Sequence, residues 1–117
     1  MYFSKLKEAP TVTIPNGTVL KVMACDDKMT MLQSTMPAGL DKPPHTHSEI
    51  QAYYIVSGKM ELEVGEEKKI MEAGDTCIVP SMIPHGAKII EETTEIEIFY
   101  PARPDLIHKY FPNLEVE

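Results

Sequence analysis

The sequence has no apolar run that approaches the roughly 20 residues needed to cross a bilayer, and its first residues lack the continuous apolar segment of a secretion signal. Positive charge is also scarce, since 11 Lys and Arg stand against 18 Asp and Glu and the lysines are scattered. Because nucleic-acid affinity depends on clustered positive charge, we expect no nucleic-acid partner. The composition predicts a soluble, cytoplasmic protein with no membrane partner.

Cysteine is nearly absent as well, with Cys25 and Cys77 the two in the chain. Two cysteines do not make the dense disulfide framework of a small secreted fold, so we expect reduced, packed thiols. No motif places a histidine base beside Cys77, which argues against a nucleophilic thiol.

At 117 residues the chain fits one compact domain over residues 1–117 and is too short for two ordinary ones.

The sequence does contain many short segments rich in β-branched and apolar residues, separated by turn signals. No repeat or helical pattern appears before the tail at residues 101–111, where we expect one short helical turn on the outside. This spacing is typical of an all-β sandwich or barrel. The turn signals are Asn16-Gly17, Ser57-Gly58, Gly65-Glu66 and Gly74-Asp75. The predicted strands are Thr18–Ala24, Met29–Met36, Tyr53–Ser57, Lys59–Val64, Lys68–Met71, Thr76–Val79, Ala87–Ile90 and Glu95–Tyr100.

Two of these segments alternate apolar and charged residues, which predicts one buried and one solvated face. In residues 59–64 (KMELEV) the predicted buried face is Met60, Leu62 and Val64. In residues 95–100 (EIEIFY) one face carries Ile96, Ile98 and Tyr100 and the other carries Glu95, Glu97 and Phe99. If the isoleucine face fills the core, the acidic face is either wet or lines a pocket. A solvent-facing carboxylate is the ordinary expectation for Glu97.

Two of the four histidines, His45 and His47, are one residue apart. Residues two apart in a strand point to the same face, so both imidazoles can approach one metal ion. An arbitrary pair at this spacing is more often two polar residues on a solvated face. The context favours a metal site, because Gly39 precedes the pair by five residues, Gln51 follows it by three, and Gly58 comes six residues later.

A second cluster supplies another histidine at a fixed spacing. Gly74 is followed by five residues and Pro80, then by four residues and His85. Residues 39–58 and 74–89 together resemble the paired motifs of the cupin superfamily, G-x5-H-x-H-x3-E-x6-G and G-x5-P-x-G-x2-H-x3-N. The resemblance implies a double-stranded β-helix, the cupin jelly-roll barrel. It also implies one divalent transition metal (Zn, Fe, Ni, Mn or Cu) bound by His45, His47, Gln51 and His85.

Three positions depart from the family pattern. Met82 replaces the second glycine of the second motif and Ile89 its final Asn, both at turn and packing positions. Gln51 replaces the metal-binding Glu, so the ligand set is neutral and the metal keeps its full charge. Such a centre should favour an anionic substrate and act mainly as a Lewis acid.

Two further polar residues need an assignment. Glu49 is the carboxylate nearest to the histidine pair, and on a regular strand it would share their face and could replace Gln51 as a ligand. The family alignment favours Gln51, and a rim position is the alternative for Glu49. His108 falls in the tail outside both motifs, where we expect a surface histidine.

Residues 95–106 (EIEIFYPARPDL) narrow the resemblance to the KdgF-type cupins of pectin and alginate breakdown. These small cupins convert 4,5-unsaturated uronates into open-chain keto sugars. The resemblance implies catalytic roles for Glu97, Phe99 and Arg103, with Glu97 moving a proton and Arg103 clamping a substrate carboxylate through two hydrogen bonds. The subgroup has Asp where this chain has Glu97, and the extra methylene changes where the carboxyl group lies.

The sequence therefore leaves three hypotheses. The first is an enzyme of carbohydrate metabolism acting on a small sugar acid. The second is a metal-dependent dioxygenase or isomerase of a small diol or keto compound, and the third is a non-catalytic sugar-binding or small-molecule-binding cupin. We expect a small anionic or polyol substrate and, because small cupins form dimers and exposed sheet edges need protection, a homodimer. The eight methionines are expected to fill barrel space or to line an adaptable pocket.

Overall fold

The computed structural model describes residues 2–115, which form eight β-strands and one α-helix. No helix among these residues is long and apolar enough to span a membrane. A short 3-10 turn at Leu6–Glu8 precedes the first strand. The elements are β1 (Thr11–Thr13), β2 (Val19–Cys25), β3 (Thr30–Met36), β4 (Asp41–His45), β5 (Ile50–Val64), β6 (Glu67–Glu72), β7 (Thr76–Val79), β8 (His85–Tyr100) and α1 (Pro104–Tyr110).

All strand pairs are antiparallel, in the order β1-β2-β3-β8-β5-β6, with β4 beside β8 and β7 beside β5. The two longest strands pair from Ile50 with Tyr100 to Val64 with His85. The sheet is rolled, because His85 and Phe99, near opposite ends of β8, both lie close to His47, with ring centroids 4.7 and 5.8 Å away. This is the all-β jelly-roll barrel that the sequence predicts.

The prediction of a turn at Ser57-Gly58 is wrong. β5 continues through these residues, and its pairing with β8 shifts register between Ile55 and Met60. Gly58 has φ of 98°, and a Cβ there would lie 2.2 Å from the carbonyl oxygen of Glu92. The glycine therefore bends a continuous strand through a bulge and does not reverse it. The predicted pair Ala87–Ile90 and Glu95–Tyr100 is likewise one strand, β8.

The apolar interior has two clusters. The larger one lies between β3, β5, β6, β7 and β8 and is formed by Met36, Tyr53, Ile55, Met60, Leu62, Met71, Val79 and Ile89. The smaller one joins the helix to the sheet through Leu20, Val22, Leu32, Phe99, Ile107 and Phe111. α1 begins with Pro104, whose fixed φ suits a first helical position. The helix packs beside the polar cavity, whose lining includes Leu106 and Tyr110.

The methionine prediction is confirmed for part of the set. Met36, Met60 and Met71 fill the larger cluster, whereas Met29 and Met82 are 47% and 56% exposed. The two cysteines are free and half-buried, as expected for packed thiols.

Candidate metal centre and its cavity

Three histidines from both motifs meet at one end of the barrel. His45 ends β4 and pairs with His85, the first residue of β8, while His47 lies in the loop beyond β4. The loop, and not strand alternation, therefore brings His47 to the pair. The ring centroids are 4.4 Å apart for His45 and His85 and 5.6 Å apart for His45 and His47. One ring nitrogen from each residue lies within 4.8 Å of the other two, so one ion can be reached by all three.

Backbone carbonyls orient two of these rings. His47 Nδ1 donates to the Glu49 carbonyl at 2.9 Å, and His85 Nδ1 donates to the Ile83 carbonyl at 2.9 Å. Because a carbonyl oxygen can only accept, each Nε2 is left with a lone pair, as in many metal-bound histidines. His85 Nε2 is buried, and no atom of residues 2–115 hydrogen-bonds to it. A buried lone pair without a partner fits a bound cation.

Burial favours, at His45 and His85, the neutral form of the imidazole that a metal requires. Burial lowers the pKa of His85, although the Ile83 carbonyl opposes the effect. Burial and the neighbouring His47 lower the pKa of His45. Each ring therefore holds its proton less tightly than a free histidine and is available as a ligand near neutral pH.

Gln51 lies at the start of β5, with 3% of its surface exposed. Its Oε1 is 3.0 Å from His47 Nε2. When His47 Nδ1 carries the ring proton, these two atoms are both acceptors, and joint ligation of one cation satisfies both. The neutral donor set, three imidazoles and one amide, suits a transition metal such as Zn, Fe, Ni, Mn or Cu.

Glu49 lies on the other side of His47. Its Oε1 is 3.7 Å from His47 Nδ1 and 3.7 Å from Arg103 Nε, so it does not reach the Nε2 side where the ligand atoms meet. Met82 has the left-handed φ of 65° that a turn glycine favours, and its N–H donates to the His47 carbonyl at 2.9 Å. That hydrogen bond ties the loop of the first motif to the second.

A cavity of about 260 Å³ lies beside the histidines, the size of a small metabolite. Its lining includes polar and aromatic residues to which the sequence analysis gave no role in the site, namely Asn16, Thr18, Ser34, Lys42, Tyr53 and Tyr110. The three predicted catalytic residues also line it, namely Glu97, Phe99 and Arg103. The exposed His108 lies on α1 and is not part of this wall.

The acidic face of residues 95–100 points into the barrel. Glu95, Glu97 and Phe99 are 1%, 7% and 2% exposed, whereas Ile96 and Ile98 are half-buried on the outer face. The ordinary expectation of a solvent-facing Glu97 is therefore wrong. Glu97 lines the cavity and Glu95 lies behind it.

The two carboxyl groups form a hydrogen-bonded pair. Burial raises the pKa of Glu95 well above its usual value, and the nearby Glu97 carboxylate raises it further. A hydrogen bond between two carboxyl groups requires a proton, and the raised pKa of Glu95 favours Glu95 as the group that keeps it. Glu95 Oε2 is buried with no hydrogen-bond partner among the described residues. Sequence alternation placed Glu95 on the face of Glu97, but did not indicate that this face was the inner one.

Arg103 is anchored just before α1. Its N–H donates to the buried Thr30 hydroxyl at 2.9 Å, and its guanidinium lies 5.1 Å from the Phe99 ring centroid. Nε and Nη2 donate to the two carboxylate oxygens of Asp105 at 3.0 and 2.9 Å. The forked face of Arg103 that was predicted to clamp a substrate is thus occupied by a neighbour in this structure.

Comparisons with known proteins agree with this geometry. The family model described as Cupin domain (Cupin_2) matches residues 31–100. The pectin degradation protein KdgF of Dickeya dadantii (strain 3937) is 28% identical over 102 residues, covering 86% of this chain and 93% of the relative. An RmlC-like cupin from Shewanella frigidimarina NCIMB 400 superposes with a TM-score of 0.86 at 25% identity, covering 91% and 96% of the two chains. KdgF from Halomonas sp. superposes with a TM-score of 0.83 at 27% identity, covering 89% and 98%.

Proposed function

Because the chain belongs to the cupin domain family, we propose that it is a metal-dependent enzyme that opens and ketonises a 4,5-unsaturated uronate. The observation that carries the proposal is the buried, partnerless His85 Nε2 within a three-histidine cluster, beside a cavity walled by Glu97 and Phe99. The similarity to two KdgF proteins supports this substrate class. The cavity volume of about 260 Å³ suits one sugar acid.

The four predicted metal-binding residues, His45, His47, Gln51 and His85, carry no formal charge when the imidazoles are neutral. A divalent ion held there would act as a Lewis acid that polarises a substrate oxygen. The neutral amide of Gln51 leaves the positive charge of the site undiminished, which favours an anionic substrate over a neutral sugar.

The proposed reaction moves one proton within the substrate. The anomeric hydroxyl loses it as the bond between C1 and the ring oxygen breaks, and C4 gains it as a carbonyl forms at C5. In this proposal Glu97, whose carboxyl group lines the cavity, carries that proton, and the neighbouring Glu95, whose pKa is raised, assists it through a hydrogen bond. Phe99 provides an apolar wall, which excludes water and orients the sugar ring.

The variant Gln51→Glu tests the role of the neutral ligand. We expect it to retain metal, because a carboxylate is also a metal ligand, and to lose most activity because the added negative charge weakens Lewis acidity. The loss of unsaturated-uronate absorbance gives the rate, and elemental analysis gives the metal content. Gln33→Glu, on the half-buried outer face of β3, is the matched control.

An unchanged rate for Gln51→Glu would refute the proposed role. Oxygen uptake with added Fe or Ni, without uronate conversion, would favour the dioxygenase alternative. Thermal stabilisation by a sugar without any turnover would favour a binding protein.

We also propose that the protein is a cytoplasmic homodimer. The outer face of β5, β7 and β8 exposes large apolar side chains that a second copy would cover, namely Ile50, Tyr54, Val56, Ile78 and Tyr100. Sedimentation at micromolar concentration should give a dimer, and a monomer would count against this proposal.

A further inference from the structure

Lys42 reaches the cavity because β4 is irregular. In a regular strand Lys42 and His45, three residues apart, would point to opposite faces. The pairing of β4 with β8 shifts register between them, at Pro43 and Pro44, which have no N–H for the ladder. A Cβ on the facing Gly86 would lie 2.6 Å from the Lys42 carbonyl oxygen, so the glycine permits this close approach. Both Lys42 and His45 consequently line the same cavity.

The ammonium group of Lys42 points inward. Its Nζ lies 3.9 Å from Sδ of Met36, a core residue with no exposed surface. None of the ion pairs formed within residues 2–115 includes Lys42, so no carboxylate oxygen there lies within 4.0 Å of Nζ. Lysines that leave the surface are normally paired, because an unpaired charge loses hydration without compensation. Lys42 therefore offers a cation without a counter-ion to the cavity.

The nearby side chains of Glu95 and Glu97 do not neutralise the ammonium group of Lys42. Lys42 acts to lower the pKa of Glu95, but burial and Glu97 outweigh it and the pKa of Glu95 stays well above its usual value. Burial thus favours the neutral form of Glu95. No ion pair joins Glu97 to Lys42 among residues 2–115.

Arg103, the other cation of the cavity, is already compensated. Two oxygens of Asp105 accept from its guanidinium, and Glu49 Oε1 is 3.7 Å from its Nε. A substrate carboxylate would have to displace Asp105 to obtain the same two hydrogen bonds. A substrate carboxylate that binds Lys42 does not have to displace another carboxylate.

We propose that Lys42 is the anion-binding residue of the cavity and receives the carboxylate of the substrate, while Arg103, held by Asp105, shapes the rim. The identity of the ligand as a sugar acid rests on the proposed function. The share of the preference for an anion over a neutral sugar that Lys42 supplies is measurable without turnover.

The experiment compares D-galacturonate, a saturated sugar acid, with neutral D-galactose as ligands of the metal-loaded protein. Titration calorimetry and ligand-induced thermal stabilisation are measured on the parent, Lys42→Met, Lys42→Arg and Arg103→Met. Losing a charge-assisted contact should weaken galacturonate binding to Lys42→Met by about ten- to one-hundred-fold, with galactose unaffected. The affinity of Lys42→Arg for galacturonate should stay within a few-fold of that of the parent. Because this variant keeps the positive charge, it separates an effect of charge from a folding defect. Lys69→Met, at an exposed position of β6, is the surface control.

Three results would overturn the proposal: a parent that does not prefer the acid, a Lys42→Met variant that keeps the preference, or a preference abolished by Arg103→Met alone. If the preference is present and depends on Lys42 but no unsaturated uronate is converted, the subsite stands and the proposed reaction fails.

Discussion

Residues 59–64 and 95–100 have nearly the same sequence pattern and opposite orientations. In KMELEV the apolar residues Met60 and Leu62 are buried and the glutamates lie on the outer side. In EIEIFY it is Glu95 and Glu97 that face inward, with the isoleucines outside. Alternation thus predicts that two faces differ, but it does not determine which face is buried.

The surroundings explain the difference. The inner face of residues 59–64 meets other apolar side chains, such as Met71 and Ile89, in a dry cluster. The inner face of residues 95–100 meets Ser34 and Tyr53 and a polar cavity. Two acidic side chains are tolerated there because burial raises the pKa of Glu95 and favours its neutral form beside Glu97. The inverted segment is therefore the one that belongs to the site.

The largest effect on stability is expected when a glutamate is placed on the inner face of residues 59–64, where residues 95–100 carry one. Leu62→Glu places a carboxyl group in the apolar cluster with no partner, which should lower the free energy of unfolding by about 3 kcal/mol or more at pH 7. Urea unfolding measures it. Glu61→Leu, on the outer face of the same strand, should change stability by less than about 1 kcal/mol. Equal effects of the two variants would show that the faces do not differ as described.

The next effect concerns catalysis. Glu97→Gln removes the carboxyl group that we propose carries the proton but keeps the size of the side chain, so we expect the rate on unsaturated uronate to fall about 10²- to 10⁴-fold with the fold and metal content retained. Glu97→Asp, the residue of the KdgF-type subgroup, should retain a measurable share of activity. Glu63→Gln on the outer side of β5 is the control, and it should leave the rate unchanged. A Glu97→Gln enzyme as fast as this control would contradict the assignment.

The smallest effect is a pH dependence of stability. The folded protein raises the pKa of Glu95 above its usual 4.5, so folding retains a proton that the unfolded chain releases. The stability supplied by this group is therefore full below the ordinary carboxyl pKa and declines as pH rises toward the raised value. Glu95→Gln cannot lose that proton, so its stability relative to the parent should increase with pH, by at most about 1.4 kcal/mol per pH unit.

Unfolding by urea from about pH 5 to pH 8 would measure this difference. Glu61→Gln, which replaces an outer-face carboxylate, provides the comparison because its difference from the parent should not vary with pH. A flat difference for Glu95→Gln would mean that the carboxyl pair does not hold a proton. An infrared band of a protonated carboxyl group at neutral pH, absent from Glu95→Gln, would assign that proton directly.

The sequence predicted the barrel and the positions of most strands because turn signals and period-two alternation are local. It failed at Ser57-Gly58, since a glycine that permits a bulge and one that permits a turn look alike until the partner strand is known. Motif spacing named the residues of the histidine cluster, although the loop placement of His47 differs from the expected strand geometry. Lys42 was not found because its orientation depends on a register shift, which no local pattern reveals.

The central claim is that residues at the end of β4, in the loop after it and at the starts of β5 and β8 form a metal centre beside the polar cavity. Elemental analysis of the purified protein, beside a His45→Ala/His85→Ala double variant, tests it most directly. We predict about one transition metal per chain in the parent and none in the double variant, with both proteins folded. A parent without metal, even after incubation with Mn, Fe, Ni and Zn salts, would contradict the metal centre and the reaction proposed for it.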